Sequence, residues 1–585
     1  MARVASLIAS LGGGLGAAVG SVGAQQPEVA TSRREVACAG QPVRDVVAVP
    51  QPPYTSALLR RYAFVADLVE RLHATTRAEV VRRFMVLHPG MPCEELRRAE
   101  SERILRVQPF IVDARVRVYA TADSGVLLEV ETRDEFSLIA NVAVRTAAPP
   151  LTVLRLGEQN LLGTGVYASG EWRDGGLGYR DGGGFRLVDY QFLGRPYQLT
   201  LVANRRYVGS NWQVQTSHPF FTDLQRVAWR VNFGGEDDFQ SLWRGPDEDP
   251  SALFFRRRWA EVGGVLRIGV PGRLSLFGAG VSREYARTSD RVAVLSDTGA
   301  VPDLGPPLGF APAERYPGQD VTRVNLIWGV RNVRFLPVVG FETLTGTQDV
   351  RRGFQFGTVF GRGASFLGSE DDDYYLSSDL YAGAGSRRAF AGFEVQAEGR
   401  RESRREQWNG VVASGRAASF FVPNDRWRVV ADLEYAGIWH SQTPAQLEIG
   451  AFEGGVRGFD RADVGGGRRA VARLEGRAVI GQLFGLGDVG VAAFTDAGRV
   501  WAGEAPYGVT TPVQSSVGLG LLGAFPARSR RLWRVDVAYP VTKLPGSRWQ
   551  VRFSNRDLTR LFFREPRDVQ RVRERAVPAS IFAWP

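Results

Sequence analysis

The chain changes its hydrophobic rhythm at Pro149-Pro150. Beyond these prolines, apolar and polar residues alternate with the side-chain period of a β-strand. Val227, Trp229, Val231 and Phe233 fall on one face, and Arg226, Ala228, Arg230 and Asn232 on the other. The pattern recurs at Trp427, Val429, Ala431, Leu433 and Tyr435 against Arg428, Asp432 and Glu434. It returns at Trp533 to Tyr539, where Arg534 and Asp536 are the polar positions, and at Trp549, Val551 and Phe553. Before the prolines the pattern is mixed. Val43, Asp45, Val47 and Val49 read as one side of a strand, and Ser56 to Leu72 as a helix. Thr76-Arg77-Ala78-Glu79 has the spacing of a capping box, opening a second helix. A third follows Pro92, with Leu96, Ala99, Ile104 and Leu105 as its apolar side. Val112 to Ala120 and Val126 to Val130 then alternate around a turn at Asp123-Ser124-Gly125. This predicts a small β-α-α-β-β domain with an extra helix after its first strand, followed by a large, mostly β region.

Periodicity alone does not say which face of the later strands is wet. A sandwich would bury the apolar face; a membrane barrel would turn it to lipid. The strands are too many for an ordinary sandwich, aromatics mark their ends, and short turns alternate with long polar loops such as Glu236 to Pro250 and Thr288 to Gln319. A transmembrane antiparallel β-barrel is therefore expected, closed because an open edge in lipid leaves backbone groups unpaired. Roughly sixteen to eighteen candidate strands lie between Gly163 and Ser554 by this alternation; those at Trp212 to His218 and Tyr374 to Gly383 are the weakest.

Composition adds a location. The 585 residues carry a net charge of +11, and Lys543 is the only lysine, so the basicity is arginine. The arginines are spread among apolar neighbours rather than gathered in a stripe, which argues against nucleic acid and for a charged lumen. Residues 1-24 read as a signal peptide, with Arg3 before an apolar run and small residues at Val22-Gly23-Ala24. Export to an oxidising compartment leaves Cys38 and Cys93 as either a disulfide or two free thiols.

The chemistry concentrates in Gly454-Gly455-Val456-Arg457-Gly458-Phe459-Asp460, a Gly-rich stretch between two strand-like runs, and in Phe494-Thr495-Asp496-Ala497-Gly498 further on. If the loop folds inward, Arg457 and Asp496 can pair through the guanidinium fork. Otherwise they are a surface arginine and a turn aspartate that never meet. Gly518 to Gly523 spells a dinucleotide fingerprint inside a strand with no helix behind it, so its mechanism is missing. His73, His88, His218 and His440 are dispersed without metal spacing, His73 and His88 reading as turn or surface residues. Asp371-Asp372-Asp373 reads first as an exposed acidic loop, with cation binding as the lesser alternative. No nucleophile-base constellation points to an enzyme.

The N-terminal order, with His73-Ala74-Thr75-Thr76-Arg77 and Glu100-Ser101-Glu102-Arg103-Ile104-Leu105-Arg106, resembles the polypeptide-transport-associated (POTRA) domain. Val456-Arg457-Gly458-Phe459 and Phe494-Thr495-Asp496-Ala497-Gly498 resemble the paired signatures of the BamA/TamA superfamily of outer-membrane assembly and secretion barrels. Asn160-Leu161-Leu162-Gly163-Thr164-Gly165 resembles that family's approach to its first strand, so Asn160, Gly163 and Gly165 are singled out. The resemblance implies a barrel of about 16 strands in the sense of a closed antiparallel sheet. It also implies a loop tucked into the lumen, an Arg457-Asp496 contact supported by Gly458 and Phe459, and Glu475 as a further partner.

The resulting division is a signal peptide (1-24), a linker (25-41), a POTRA-like periplasmic domain (42-136), a linker (137-158), an outer-membrane barrel (159-555) and a C-terminal periplasmic tail (556-585). The family resemblance implies a factor that receives extended client polypeptides in the periplasm. It would insert or export them through a seam between the strand near Gly163 to Trp172 and the last strand. The lipid bilayer is the surrounding partner, periplasmic or lipoprotein accessory factors are further ones, and no cofactor, metal or nucleic acid is implied. The alternative is a passive pore for small solutes. Two departures from the family stand out: a single POTRA-like domain, and a chain that continues beyond Phe553, the expected terminal aromatic.

Overall fold

A computed structural model describes residues 34–573, except 63–66, 68, 70–71, 145–150, 175–180, 207–208, 246–249, 297–298, 303–311, 403–407, 451–453, 460–463, 546 and 558–564. The expected signal peptide and Asp460 lie outside the described residues.

The N-terminal domain runs β1 (Val43–Gln51), α1 (Ser56–Arg61), α2 (Ala78–Arg83), α3 (Glu95–Val107), β2 (Ile111–Ala120) and β3 (Val126–Asp134). Its sheet has the order β1-β3-β2, with β1 parallel to β3. The element order follows the sequence pattern, but two details do not. A bulge between Val43 and Asp45 shifts the alternation of β1, so Val46 rather than Val47 follows Val43 into the core. The capping box does not form: Thr76 turns its hydroxyl to Asp134, and the cap residue of α2 is Arg77.

Helix α3 is buried on more than its apolar stripe. Glu100, Arg103 and Arg106 are as enclosed as Ile104 and Leu105, because the far side of the helix meets the barrel. Arg106 reaches Asp349 with hydrogen bonds of 3.0 and 2.9 Å. Glu100 accepts from Thr222, and Arg103 donates to the carbonyl of Phe221. Gln191 donates to the carbonyl of Val80, and Arg530 to those of Gln108 and Ile111. These contacts come from the ends of four separate hairpins on one rim, so the domain sits across that mouth of the barrel, the near mouth.

Among the described residues the barrel is a closed antiparallel sheet of about twenty strands, with a four-residue addition, Gly299–Pro302. Sixteen was too few. Both weak candidates are strands, Ser210–His218 and Asp373–Gly385. A hairpin within the stretch assigned to a linker, β4 (Leu138–Val144) and β5 (Leu151–Glu158), also joins the wall. Its strands are short and flank the two prolines, which is why the sequence reads as a break there. The expected long loops are shortened from below: strands Val227–Leu242, Ser251–Val270 and Arg273–Ser296 extend into them.

The faces are inverted relative to a water-soluble sandwich. Leu433 and Val537 are 56% and 46% exposed, while the neighbouring Glu434 and Arg534 are 6% and 5% exposed. Apolar side chains thus line the outside and charged ones the inside, the arrangement of a membrane-spanning barrel. No helix among the described residues is long and apolar enough to cross a membrane.

Candidate functional site

Strand Trp427–Trp439 leaves the wall at its far end, and the chain enters the lumen before returning as strand Arg468–Leu483. A small internal pairing, Leu447–Glu448 with Gly465–Gly466, closes the base of this loop. Inside it, Val456 and Phe459 pack with Ile449, Val464, Val471 and Val500, which anchors the loop against the inner wall. Gly458 has φ +95°, a conformation that costs glycine little and other residues more. That turn presents Arg457 to strand Gly487–Trp501.

The expected pairing forms. Arg457 Nε and Nη2 donate to the two Asp496 carboxylate oxygens, each at 2.7 Å, and the Arg457 amide adds a third bond to the same carboxylate. The guanidinium lies 3.3 Å above the Phe494 ring centroid. Phe494 and Asp496 share the inward face, being two residues apart on one strand. The aromatic and acidic members of the second motif therefore hold the same arginine.

Glu475 is a partner as well, but its role is wider. It accepts from Arg457 Nη1 at 3.2 Å, from Arg477 at 2.6 Å, and from Arg534 at 2.9 and 2.8 Å. Arg534 also bonds Asp536, which lies 3.7 Å from Arg457. Arg457, Arg477 and Arg534 are thus balanced by Glu475, Asp496 and Asp536. Such a cluster is tolerable away from bulk water because each charge has an opposite neighbour and several hydrogen bonds. Arg473 joins the loop from its other side, donating to the Gly455 carbonyl while facing Asp432 and Glu434. Beside these groups is a polar cavity of about 100 Å³.

Arg534 and Asp536 were legible only as polar positions on a strand. Their part depends on barrel closure, which brings Trp533 to Tyr539 near a loop from far upstream.

Asn160, Gly163 and Gly165 form the joint between the N-terminal domain and the wall. Asn160 donates to Thr76 Oγ1 and accepts from the Gly165 amide, both at 2.7 Å. Thr76 in turn bonds Asp134 through its amide and its hydroxyl. His73 faces Asp134 at 3.3 Å and Ser137 Oγ at 2.7 Å, with its side chain only 1% exposed. It is therefore a buried member of the joint rather than a turn or surface histidine. The Ser137-His73-Asp134 order has the outline of a hydrolase triad, but Ser137 is sealed from solvent and Asp134 is already taken by Thr76. Its chemistry is that of a staple.

Cys38 and Cys93 form a disulfide. The acidic run is engaged by arginine: Asp373 pairs with buried Arg323, and Asp372 with Arg362.

Of the stretch expected as a periplasmic tail (556-585), 558–564 and 574–585 lie outside the described residues, and the part from 565 to 573 departs from that expectation. Residues 565–573, including the short helix Arg567–Val572, lie inside the lumen. Asp568 pairs with Arg469 at 2.5 Å, Glu565 accepts from Ser414 at 2.7 Å, and Arg573 reaches Glu398 at 3.2 Å. Those inward-facing wall residues supply partners that the charges of this segment would lack in a membrane.

No protein-family model matches the chain, and no curated protein does. Among solved structures, the chain is similar to a BamA from Haemophilus ducreyi lacking POTRA domains 1-3, at 14% identity, over 88% of this chain and 84% of that one, with a TM-score of 0.37. It is similar to CdiB from Acinetobacter baumannii at 10% identity, over 94% and 96% of the two chains, with a TM-score of 0.38. It is similar to CdiB from Escherichia coli at 12% identity, over 92% and 91%, again with a TM-score of 0.38.

Proposed function

We propose that this chain is an outer-membrane factor that receives polypeptides on the periplasmic side and inserts or exports them through its barrel. The reading is carried by the latched loop: an arginine from a Gly-rich turn held within a closed, charged lumen by the aspartate and aromatic of a second motif. The motif resemblance to the BamA/TamA superfamily gives that latch its functional sense. The N-terminal domain would face the periplasm, with bilayer around the barrel and accessory factors on the domain side.

The geometry refines two steps of this reading. A client adding to the domain's sheet needs a bare edge, since backbone hydrogen bonds provide the binding. The outer edge of β2 is occupied: Val116 is bonded by Glu102 and Arg98, Ala114 by Arg106, and residues 34 and 36 pair with Ala120 and Val118. β1 pairs with β3 on one side, and beyond its bridge to Pro92 no strand covers the other among the described residues. The client edge is therefore β1.

The seam is also displaced. The last strand, Gln550–Asp557, adjoins β4 rather than the strand that begins at Val166. Because β3 ends at Asp134 and β4 begins at Leu138, a movement of the domain is transmitted directly to the wall beside the seam. A passive pore for small solutes suits this lumen less well, since the loop and the C-terminal segment both lie in it.

Depleting the protein and comparing outer-membrane proteomes tests the function: specific membrane or surface proteins should fall. An unchanged proteome overturns the proposal. Photo-crosslinkers along β1 should capture client chains, and those on the outer edge of β2 should not.

A further inference from the structure

We propose that the barrel lumen contains a peptide-binding site occupied by the chain's own residues 565–573, which act as a displaceable plug and hold the Arg457 loop inward. The segment is bound as a ligand is bound. Its helix, Arg567–Val572, has only six residues and would not persist in water by itself, because helix nucleation is unfavourable. The site supplies its order.

Recognition is spread over several wall strands and over the loop. Asp568 accepts from Arg469, and the Glu448 amide of the loop also donates to it. Arg469 bridges further, to the carbonyl of Glu448. Glu565 is held by Ser414, and Arg573 ties Glu565, Glu398 and Ser414 together. From the opposite part of the wall, Arg257 donates to the carbonyl of Arg571. Between these polar ends, Val569 and Val572 enter a cluster with Val412, Ala436, Ile438, Ala445 and Leu447, and Val569 is completely buried.

Two observations couple the plug to the latch. Pro566 packs against Gly454, where an added Cβ would lie 2.6 Å from the proline Cβ. The Glu448 amide at the base of the loop donates to Asp568, and wall residue Arg469, at the start of the strand that follows the loop, bonds both Asp568 and the Glu448 carbonyl. Withdrawal of the segment therefore removes a support from the loop that carries Arg457. It also exposes a site suited to a short peptide with two carboxylates three residues apart, an apolar pair and a following arginine. The segment's charged ends are held by polar groups that water can satisfy when it leaves, while Val569 and Val572 would be released from their apolar cluster.

The inference rests on the lumen geometry and holds whatever the barrel transports. The test compares planar-bilayer currents of the full chain with those of a chain ending at Asp557, the last residue of the final strand. Heat-modifiable gel mobility verifies the closed barrel in both. The shortened chain is expected to show a severalfold larger steady conductance. A synthetic peptide of residues 565–573 should block it, and a scrambled peptide should not. Equal currents from the two folded chains, or failure of the peptide to block, overturn the proposal.

If the shortened chain does not fold, charge reversal in the full chain decides between plug and fixed core. Asp568→Arg, which opposes Arg469, should raise channel openings severalfold, and the added Arg469→Asp should bring them back toward wild type. Openings unchanged by Asp568→Arg overturn the proposal.

Discussion

Arg106 and Asp349 stand 243 residues apart in the chain and meet through a two-pronged pair at the near mouth. One belongs to α3 of the N-terminal domain, the other to the start of a wall strand, Thr347–Gly363. Both side chains are largely withdrawn from solvent, at 9% and 7% exposure. Removing one partner strands the other charge, which costs about 3–5 kcal/mol for a buried pair. Arg106→Ala or Asp349→Ala should therefore loosen the domain from the mouth, seen as faster protease cleavage between domain and barrel. The double substitution should cost less than the sum of the single ones. Strict additivity would show that the pair does not hold the domain.

Arg457 tests the latch in the same way with a sharper chemical control. Arg457→Ala takes from Asp496 its bidentate partner, while Glu475 keeps Arg477 and Arg534, and the loop should become accessible to protease from the far side. Lysine keeps the charge but loses the bidentate fork and the planar contact with Phe494. Arg457→Lys should restore little of the protection. Loss of client assembly in a variant whose wall strands still form, verified by heat-modifiable mobility, would assign the arginine to function rather than to folding. Normal assembly by Arg457→Ala would remove the latch from the mechanism.

The contrast between the latch and the rest of the lumen shows what a sequence displays. Arg457 and Asp496 stood out because each lies in a short motif with unusual glycine and aromatic neighbours. The wall was legible because strand alternation is a local property, as at Trp427 to Tyr435. Arg534, Arg469 and Asp568 were not legible as partners, since their meetings depend on the closure of the sheet and on a chain end turning inward. The hairpin of β4 and β5 was missed for a different reason: proline punctuation between short strands outweighed their weak alternation. The charged side of helix α3 was not legible as an interface either, since Glu100, Arg103 and Arg106 are buried only by the barrel rim that meets them.

The mouth should respond to pH in two directions. Burial raises the Glu100 carboxyl, but Arg103 and the Thr222 hydroxyl outweigh it and hold the group below its ordinary value of 4.5. A carboxylate lowered in the folded state adds stability above its unfolded value, and this is lost as the pH falls through the folded one. Glu135, beside the joint, is pushed up by burial against the opposing pull of Arg531 and Ser529. Its contribution is fullest below the unfolded value and is lost as the pH rises through the raised folded one. Domain docking, followed by protease protection, should therefore weaken on acidification below the ordinary carboxylate range. Glu100→Gln should flatten that acid limb, and Glu135→Gln should strengthen docking at neutral pH. An acid limb unchanged in Glu100→Gln would exclude this carboxylate as its source.

The Cys38–Cys93 disulfide joins positions 55 residues apart. Closing a loop of that length restricts the unfolded chain by about 4 kcal/mol on the chain-entropy account. Cys38→Ser with Cys93→Ser should lower the unfolding temperature of the N-terminal domain while leaving the heat-modifiable mobility of the barrel intact. A fall in barrel stability of the same size would mean that the two parts unfold together through their shared mouth.

Gly163 gives the most local test of the joint. Its φ is +71°, and a Cβ there would sit 2.2 Å from the Thr75 carbonyl oxygen. The Gly163 carbonyl meanwhile accepts the Arg77 amide, which fixes the start of α2 against the barrel. Gly163→Ala must therefore either open this approach or strain the backbone, at a cost of about 1–3 kcal/mol for an unfavourable conformation. Undocking of the N-terminal domain with the barrel intact is the expected result. Gly170→Ala is the matched control, because an added Cβ there meets nothing within 4 Å. Equal docking in the two variants would show that the close approach at Gly163 does not set the domain's position.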